Sequence, residues 1–390
     1  MSSLSCGIVG LPNVGKSTLF NALLKRQASF AEASEGQAGL AKVANFPFTT
    51  IEPNIGVVPV PDSRLDKLAV VVANSFTSEV KDVHTSEVSK KPPIVPATVE
   101  FLDIAGLIAG AHKGEGLGNK FLSHIREVSA VCHVVRVFTD PDIIKEGSIN
   151  PKSDLETVET ELKLADLQTL EKQKDPGNTP NKELVKWWEV VTKLRVALQE
   201  GVAAREVELN EEETKIAKQL SLLTSKPILI CLNVDENDLK DANKLELKFA
   251  EDLGVHASQV IAISAKVESE LSALDEGDQK NYLEDLGVKE SGLERLINKA
   301  FETLGLITYL TAGEKEVRAW TIRLGSTSLT AAGEIHTDFI KNFIKADVVD
   351  FDKFIDSGGW KNAREAGFVR SEGKKYVVKD GDVIEFKIGT

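Results

Sequence analysis

Short uninterrupted apolar runs recur along this chain at 5–9, 98–102, 130–138, 227–233 and 260–263, and helical periodicity fills much of the space between them. Continuous apolar strands of this kind predict a parallel sheet covered by helices on both faces. In such sheets ligands collect beyond the carboxyl ends of the strands. Between Ser153 and Leu223 the pattern changes to charged helical periodicity without a strand signal. Ser153 and Glu156 have the spacing of a capping box, and Leu155, Val158, Leu162 and Ala165 follow at intervals of three and four. Leu184, Trp187, Val191, Leu194 and Leu198 form a second stripe beyond the break Asp175-Pro-Gly-Asn-Thr-Pro180, so an antiparallel helical hairpin is predicted, its stripes read as packing seams. Trp187 and Trp188 cannot both enter one seam, which makes Trp188 a candidate exposed contact. From near Leu306 a small mixed α/β module begins, and alternating runs on either side of Asp380-Gly381 predict a terminal hairpin.

A length of 390 residues suggests two or three domains. The net charge of −13, from 47 basic and 60 acidic side chains, disfavours indiscriminate binding to nucleic acid or membranes. Residues 308–390 balance 13 basic against 13 acidic side chains, so any nucleic-acid contact is expected through the C-terminal part. Cys6, Cys132 and Cys231 each lie within an apolar run, without metal-ligand spacing, and read as buried small hydrophobes. No secretory leader and no apolar run near 18 residues is recognised, which together with the odd cysteine count places the chain in a reducing cytoplasm.

The candidate chemistry starts where the first apolar run ends. Residues 10–17 read Gly-Leu-Pro-Asn-Val-Gly-Lys-Ser, a G-x-x-x-x-G-K-[ST] loop between a strand and a helix. Its glycines let backbone N–H groups surround a β-phosphate, Lys16 offers a point charge to the β- and γ-phosphates, and the Ser17 hydroxyl suits Mg²⁺. Asp103-Ile-Ala-Gly106 follows a predicted strand, where Asp103 can reach the metal through a water and Gly106 can offer its N–H to the γ-phosphate. Thr49 and Thr50 lie in a polar loop that could ligate the metal while γ-phosphate is present, and spacing does not choose between them. Asn233-Val-Asp-Glu236 and Ser264-Ala-Lys266 end the last two predicted strands, where guanine-binding enzymes carry Asn-Lys-x-Asp and Ser-Ala-Lys. Glu236 in the aspartate position and Val234 in place of lysine damage a guanine clamp, so ATP is favoured over GTP. Leu107 occupies the place of a water-orienting glutamine and cannot polarise water, so slow turnover is expected. His112, in the glycine-rich stretch 110–118, is the remaining candidate, set against a plain solvated loop histidine.

Taken together, residues 7–20, 45–54, 101–107, 114–119 and 335–339 resemble the Obg-like ATPases of the YchF branch of translation-factor-related P-loop NTPases. The resemblance runs nearly end to end. It implies a Ras-like P-loop NTPase domain in two parts, 1–152 and 225–305, interrupted by a helical coiled-coil insertion at 153–224 and followed by a β-grasp TGS domain at 306–390. It also implies Mg²⁺-dependent ATP hydrolysis and association with the ribosome, with the large subunit expected. RNA contact through the TGS and helical domains, no membrane partner and a monomeric state are further expectations. Carried over by position, nucleotide contacts fall on Asn13, Val14, Gly15, Lys16, Ser17, Thr18, Gly106, Asn233, Val234, Ser264 and Ala265, with adenine at Val234. Metal ligands fall on Ser17 and Thr50, with Asp103 acting through water. Lys145 stands where many relatives have a histidine proposed to assist hydrolysis, and it cannot inherit that role as a base near neutral pH. Residues 27–43 and 74–91 look longer than in bacterial relatives, and surface loops explain them. Two other functions remain as rivals, an Obg-type GTPase and an ATP-bound scaffold that does not hydrolyse.

Overall fold

The computed structural model describes residues 4–37, 55–79, 91–104, 117–139 and 150–389. The chain forms two compact units, the first of Met1–Gln27, Thr50–Val57 and Glu100–Leu304, the second of Ala28–Thr49, Val58–Val99 and Gly305–Thr390. Among the described residues seven strands precede the C-terminal region: β1 (Ser5–Val9), β2 (Ile55–Pro59), β3 (Ile94–Val95), β4 (Thr98–Asp103), β5 (Ala130–Arg136), β6 (Ile228–Asn233) and β7 (Val260–Ile263). All except β3 join one sheet in the order β2-β4-β1-β5-β6-β7. β1 runs parallel to β4 and β5, and β5, β6 and β7 continue in parallel. Every residue of β1, β5, β6 and β7 is buried, which is why these strands lack alternation in the sequence. β5 stops two residues short of the predicted end, because Val137 N and Phe138 N both turn to donate to Asn233 O, at 2.9 and 3.0 Å.

Helices α1 (Lys16–Gln37), α2 (Arg64–Glu79), α3 (Leu117–Glu127), α4 (Pro151–Glu171), α5 (Lys182–Gln199) and α6 (Glu211–Gln219) follow in chain order. They are succeeded by α7 (Ala242–Leu253), α8 (Ala265–Leu271), α9 (Glu276–Asp285) and α10 (Gly292–Thr303). The helical hairpin is present as α4 and α5 and its first stripe is a packing seam, but the predicted cap is corrected. The cap of α4 is Asn150 and not Ser153: Asn150 Oδ1 accepts from Ser153 N at 3.2 Å, and Pro151 fills the first helical position. Proline fits there because its φ is preset and its missing N–H would be unpaired anyway. The stripe Val158, Leu162 and Ala165 does not face α5. It belongs to a cluster with Val9 and Val131 of the sheet, Ile104 just after β4, and Phe121 and Ile125 at 117–127. The contact with α5 is made further along, where Leu170 joins Val190, Val191, Leu194 and Leu198. Leu184, counted in the second stripe, is 47% exposed. Trp187 and Trp188 are both half-buried against the same cluster, and the Arg195 guanidinium lies 5.5 Å over the Trp188 ring, so Trp188 is not a free contact.

The second unit carries β8 (Leu306–Ala312), β9 (Val317–Arg323), β10 (Phe343–Val349), β11 (Arg370–Glu372) and β12 (Val383–Ile388) in a sheet ordered β11-β10-β12-β8-β9-β3. The short helices α11 (Ser328–Ile335), α12 (Thr337–Asn342), α13 (Phe351–Ser357) and α14 (Trp360–Glu365) lie, like α2, in the same unit. Its core centres on Tyr309, fully buried, whose hydroxyl donates to Ala331 O at 2.8 Å and whose ring meets Phe386 edge to face at 5.8 Å. The predicted terminal hairpin is corrected. The turn exists, with Gly381 at φ 80°, but β12 is flanked by β10 and β8, and Val377 makes one bridge, to Thr327. The turn is instead held by Asp380, which accepts from Thr308 N at 2.9 Å and from Arg64 Nη1 at 2.7 Å.

Cys6, Cys132 and Cys231 are buried free thiols, in accord with their sequence reading. Among the described residues, no helix is long and apolar enough to cross a membrane.

Candidate nucleotide site

The phosphate loop leaves β1 at Val9 and closes onto α1. Gly10 has φ 152°, and a Cβ there would lie 2.4 Å from Val134 O. Gly15 has φ 96°, and its Cβ would lie 2.2 Å from Asn233 Nδ2. Both positions demand glycine, for conformation and for space. Lys16 folds back over the loop, its Nζ donating to Gly10 O and Leu11 O, each at 2.8 Å. Burial lowers the Lys16 pKa, and the Asp103 carboxylate works against that shift. Asp103 at the end of β4 is the mirror case: burial raises its pKa and the Lys16 charge opposes the rise. Ser17 and Thr18 are exposed on the first turn of α1, where helix N–H groups and the helix dipole favour an anion.

Two other strand ends complete the wall. Asn233 at the end of β6 is used at both ends of its amide, Nδ2 donating to Val14 O and Oδ1 accepting from Ala265 N, each at 2.9 Å. It braces the phosphate loop against the turn at Ser264 and Ala265. Val234 lies among the core residues behind β6, 1% exposed, and its N–H donates to Ile263 O at 2.9 Å. Its side chain is therefore spent on the core. Asp235 accepts from both Thr139 N and Thr139 Oγ1 at 3.0 Å, while Glu236 is exposed. A cleft of about 1150 Å³ runs from Asn13 and Lys16 past Phe138 and Thr139 to Val234, Glu236 and Lys266.

The site thus gathers Asn13, Gly15, Lys16, Ser17, Thr18, Asn233, Val234, Ser264 and Ala265 along one cleft. Thr50, Gly106, Leu107, His112 and Lys145, each singled out from sequence, lie outside the described residues. Phe138, Thr139 and Asp235 were missed. Their signal is positional, since 138–139 follow the strand beside β1 and so must open onto the same crevice.

Comparison with known proteins places this geometry. A family model described as a 50S ribosome-binding GTPase matches residues 5–171, and a YchF GTPase C-terminal model, described as a protein of unknown function, matches 306–389. The chain is 46% identical over 392 residues to the ribosome-binding ATPase YchF of Bacillus subtilis, with 99% of each protein covered. It is 45% identical over 390 residues to the protein of the same name from Haemophilus influenzae, with 98% of each covered. The structure of the Schizosaccharomyces pombe YchF GTPase superposes with a TM-score of 0.79 at 33% identity, covering 99% of this chain and 98% of that one. With its phosphate loop, an α/β P-loop domain and a matched C-terminal domain, the chain belongs to the YchF family.

Proposed function

We propose that this chain is a Mg²⁺-dependent ATPase, a slow ribosome-associated switch that prefers ATP to GTP. The observation that carries the preference is the base end of the cleft. Asp235 is held by Thr139, Glu236 stands exposed on a longer side chain, and the Val234 side chain is buried in the core, so this reading offers the base the Val234 main-chain carbonyl. A carbonyl accepts from the adenine amino group but opposes the guanine O6, itself an acceptor, and a site built around one hydrogen-bond pattern rejects the other. Relatives over the whole length carry the name ribosome-binding ATPase, which supports ATP and the ribosome as ligand and partner here.

Loop N–H groups from Asn13 to Thr18 bind the phosphates in this reading, and Lys16 exchanges the Gly10 and Leu11 carbonyls for β- and γ-phosphate oxygens. Gly106 N–H supports the γ-phosphate. A hydroxyl at Ser17 and a carboxylate at Asp103 within the field of Lys16 are hard oxygen donors that fit Mg²⁺, with Thr50 as the further ligand. When bound, Mg²⁺ neutralises charge that spreads over the transferred phosphoryl oxygens. Leu107 orients no water, and Lys145 is not a base near neutral pH, so the unassisted rate is low and His112 is the side chain left to test. The domain division at 152/153, 224/225 and 305/306, with the helical coiled-coil insertion and a TGS fold at the C terminus, belongs to the same proposal. So do a cytoplasmic, monomeric state and contact with the large subunit and its RNA through the helical and TGS surfaces.

Single-turnover phosphate release from ATP with Mg²⁺, with and without purified ribosomes, tests the proposal. Slow release that ribosomes accelerate is expected. Release in neither condition favours the non-hydrolysing scaffold.

A further inference from the structure

The long helix α4 joins the floor of the nucleotide site to the helical pair α5 and α6. Its middle turns give Val158, Leu162 and Ala165 to the cluster that includes Val9, the last residue before the phosphate loop, and Ile104, the residue after Asp103. Leu11 of the loop and Leu102 of β4 pack against the same cluster. Its C-terminal half gives Leu170 to the cluster built by α5 and α6. Twenty-one residues of helix span about 31 Å at 1.5 Å per residue.

Buried polar contacts fix α4 along this span. Glu159 accepts from Arg205 Nη2 at 2.9 Å, and Arg205 Nη1 also donates to Thr224 O at 3.4 Å. About two turns further on, Asp166 accepts from Leu223 N and Thr224 N at 2.8 Å and from Thr224 Oγ1 at 2.7 Å. Lys186 to Glu212 at 2.6 Å and Lys193 to Glu213 at 3.2 Å tie α5 to α6. Within the sheet, His133 of β5, 1% exposed, pairs in register with Val9, and among the described residues neither ring nitrogen finds a hydrogen-bond partner. Burial, Lys16 and Arg205, in that order, hold this imidazole neutral down to about pH 3. The charge of the phosphate-loop lysine and that of the guanidinium held by α4 thus reach the same buried ring.

We infer that α4 is the element through which the phosphate site and the α5–α6 pair sense each other, with Val158 and Leu162 as positioning residues for the phosphate loop and Asp103. The inference rests on the nucleotide reading above and adds the route by which that site is regulated. A close-packed cluster transmits displacement because it has few voids to absorb it. A shift at Leu11 or Ile104 on exchange of ATP for ADP therefore moves α4, and the helix carries the shift to Leu170. Linkage makes the effect reciprocal: whatever grips α5 and α6 changes nucleotide affinity by the factor that nucleotide changes the grip.

Hydrogen exchange on the full chain, with Mg²⁺ and either ATP or ADP, tests this. Protection over 10–18 by both nucleotides, together with a rate difference between them over 160–171 and 182–199, is the expected wild-type result. Val158→Ala should keep the protection over 10–18 and lose the difference over 182–199. Glu159→Gln, which removes the charge pairing with Arg205 at little steric cost, should do the same and stands in should Val158→Ala fail to fold. A wild-type chain protected over 10–18 but identical with both nucleotides over 182–199 overturns the inference, as does a difference that survives in the folded variants. No protection over 10–18 in the wild type overturns the nucleotide reading and this inference with it.

Discussion

Lys16 bears the clearest prediction. Among the described residues its ammonium meets main-chain carbonyls and the Asp103 field, so Lys16→Ala should leave the fold intact and abolish ATP turnover, checked by phosphate release beside a circular-dichroism melt. Glu268 of α8 bears a second. It is 3% exposed, accepts from Gly292 N at 2.7 Å at the start of α10, and burial raises its pKa from 4.5 to about 7. For this acid the folded pKa lies above the unfolded one, so folding favours the protonated form. Its contribution is present in full below about pH 4.5, is lost as pH rises to about 7, and then stays constant. At about 1.4 kcal/mol per pKa unit the loss is on the order of 3 kcal/mol. Glu268→Gln, compared with wild type by urea denaturation between pH 4.5 and 8, should remove that slope; an unchanged slope would assign it elsewhere. Lys16, Ser17 and Asn233 were legible because local strings with fixed spacing name them. Glu268, His133 and the Thr139–Asp235 pair were not, since each acquires its role from a residue far along the chain.

Elements were read better in kind than in partner. The strands of the first sheet were legible because burial on both faces writes a continuous apolar run, and the α4–α5 break was legible from its prolines and glycine. Which surface α4 covers was not, because a stripe of threes and fours is the same whether it meets a helix or a sheet. The cap was misplaced for a similar reason: Ser153 satisfies the pattern, whereas Asn150 followed by Pro151 satisfies the geometry. Asn150→Ala should therefore cost about 1 kcal/mol by chemical denaturation. Ser153→Ala should change stability by no more than about 0.5 kcal/mol, the usual range at the surface. The reverse ranking would restore Ser153 as the cap. The terminal hairpin failed because alternation reports burial of one face and says nothing of which strand lies alongside.

At the scale of the whole molecule, the gathering of the units was not legible. Ile94–Val95 pairs with Val317 and Arg318 of β9, and Arg64 holds Asp380, so part of the chain between β2 and β4 builds the second unit. Nothing in a two-residue strand announces such a pairing. The proposal that organises everything else is the choice of base, which assigns Val234, Asp235 and Glu236 to an adenine site. Isothermal titration of the nucleotide-free chain with ATP and with GTP, each with Mg²⁺, measures that choice. ATP should bind at least about tenfold more tightly, the equivalent of one hydrogen bond gained over one opposed. Equal or tighter binding of GTP would contradict it.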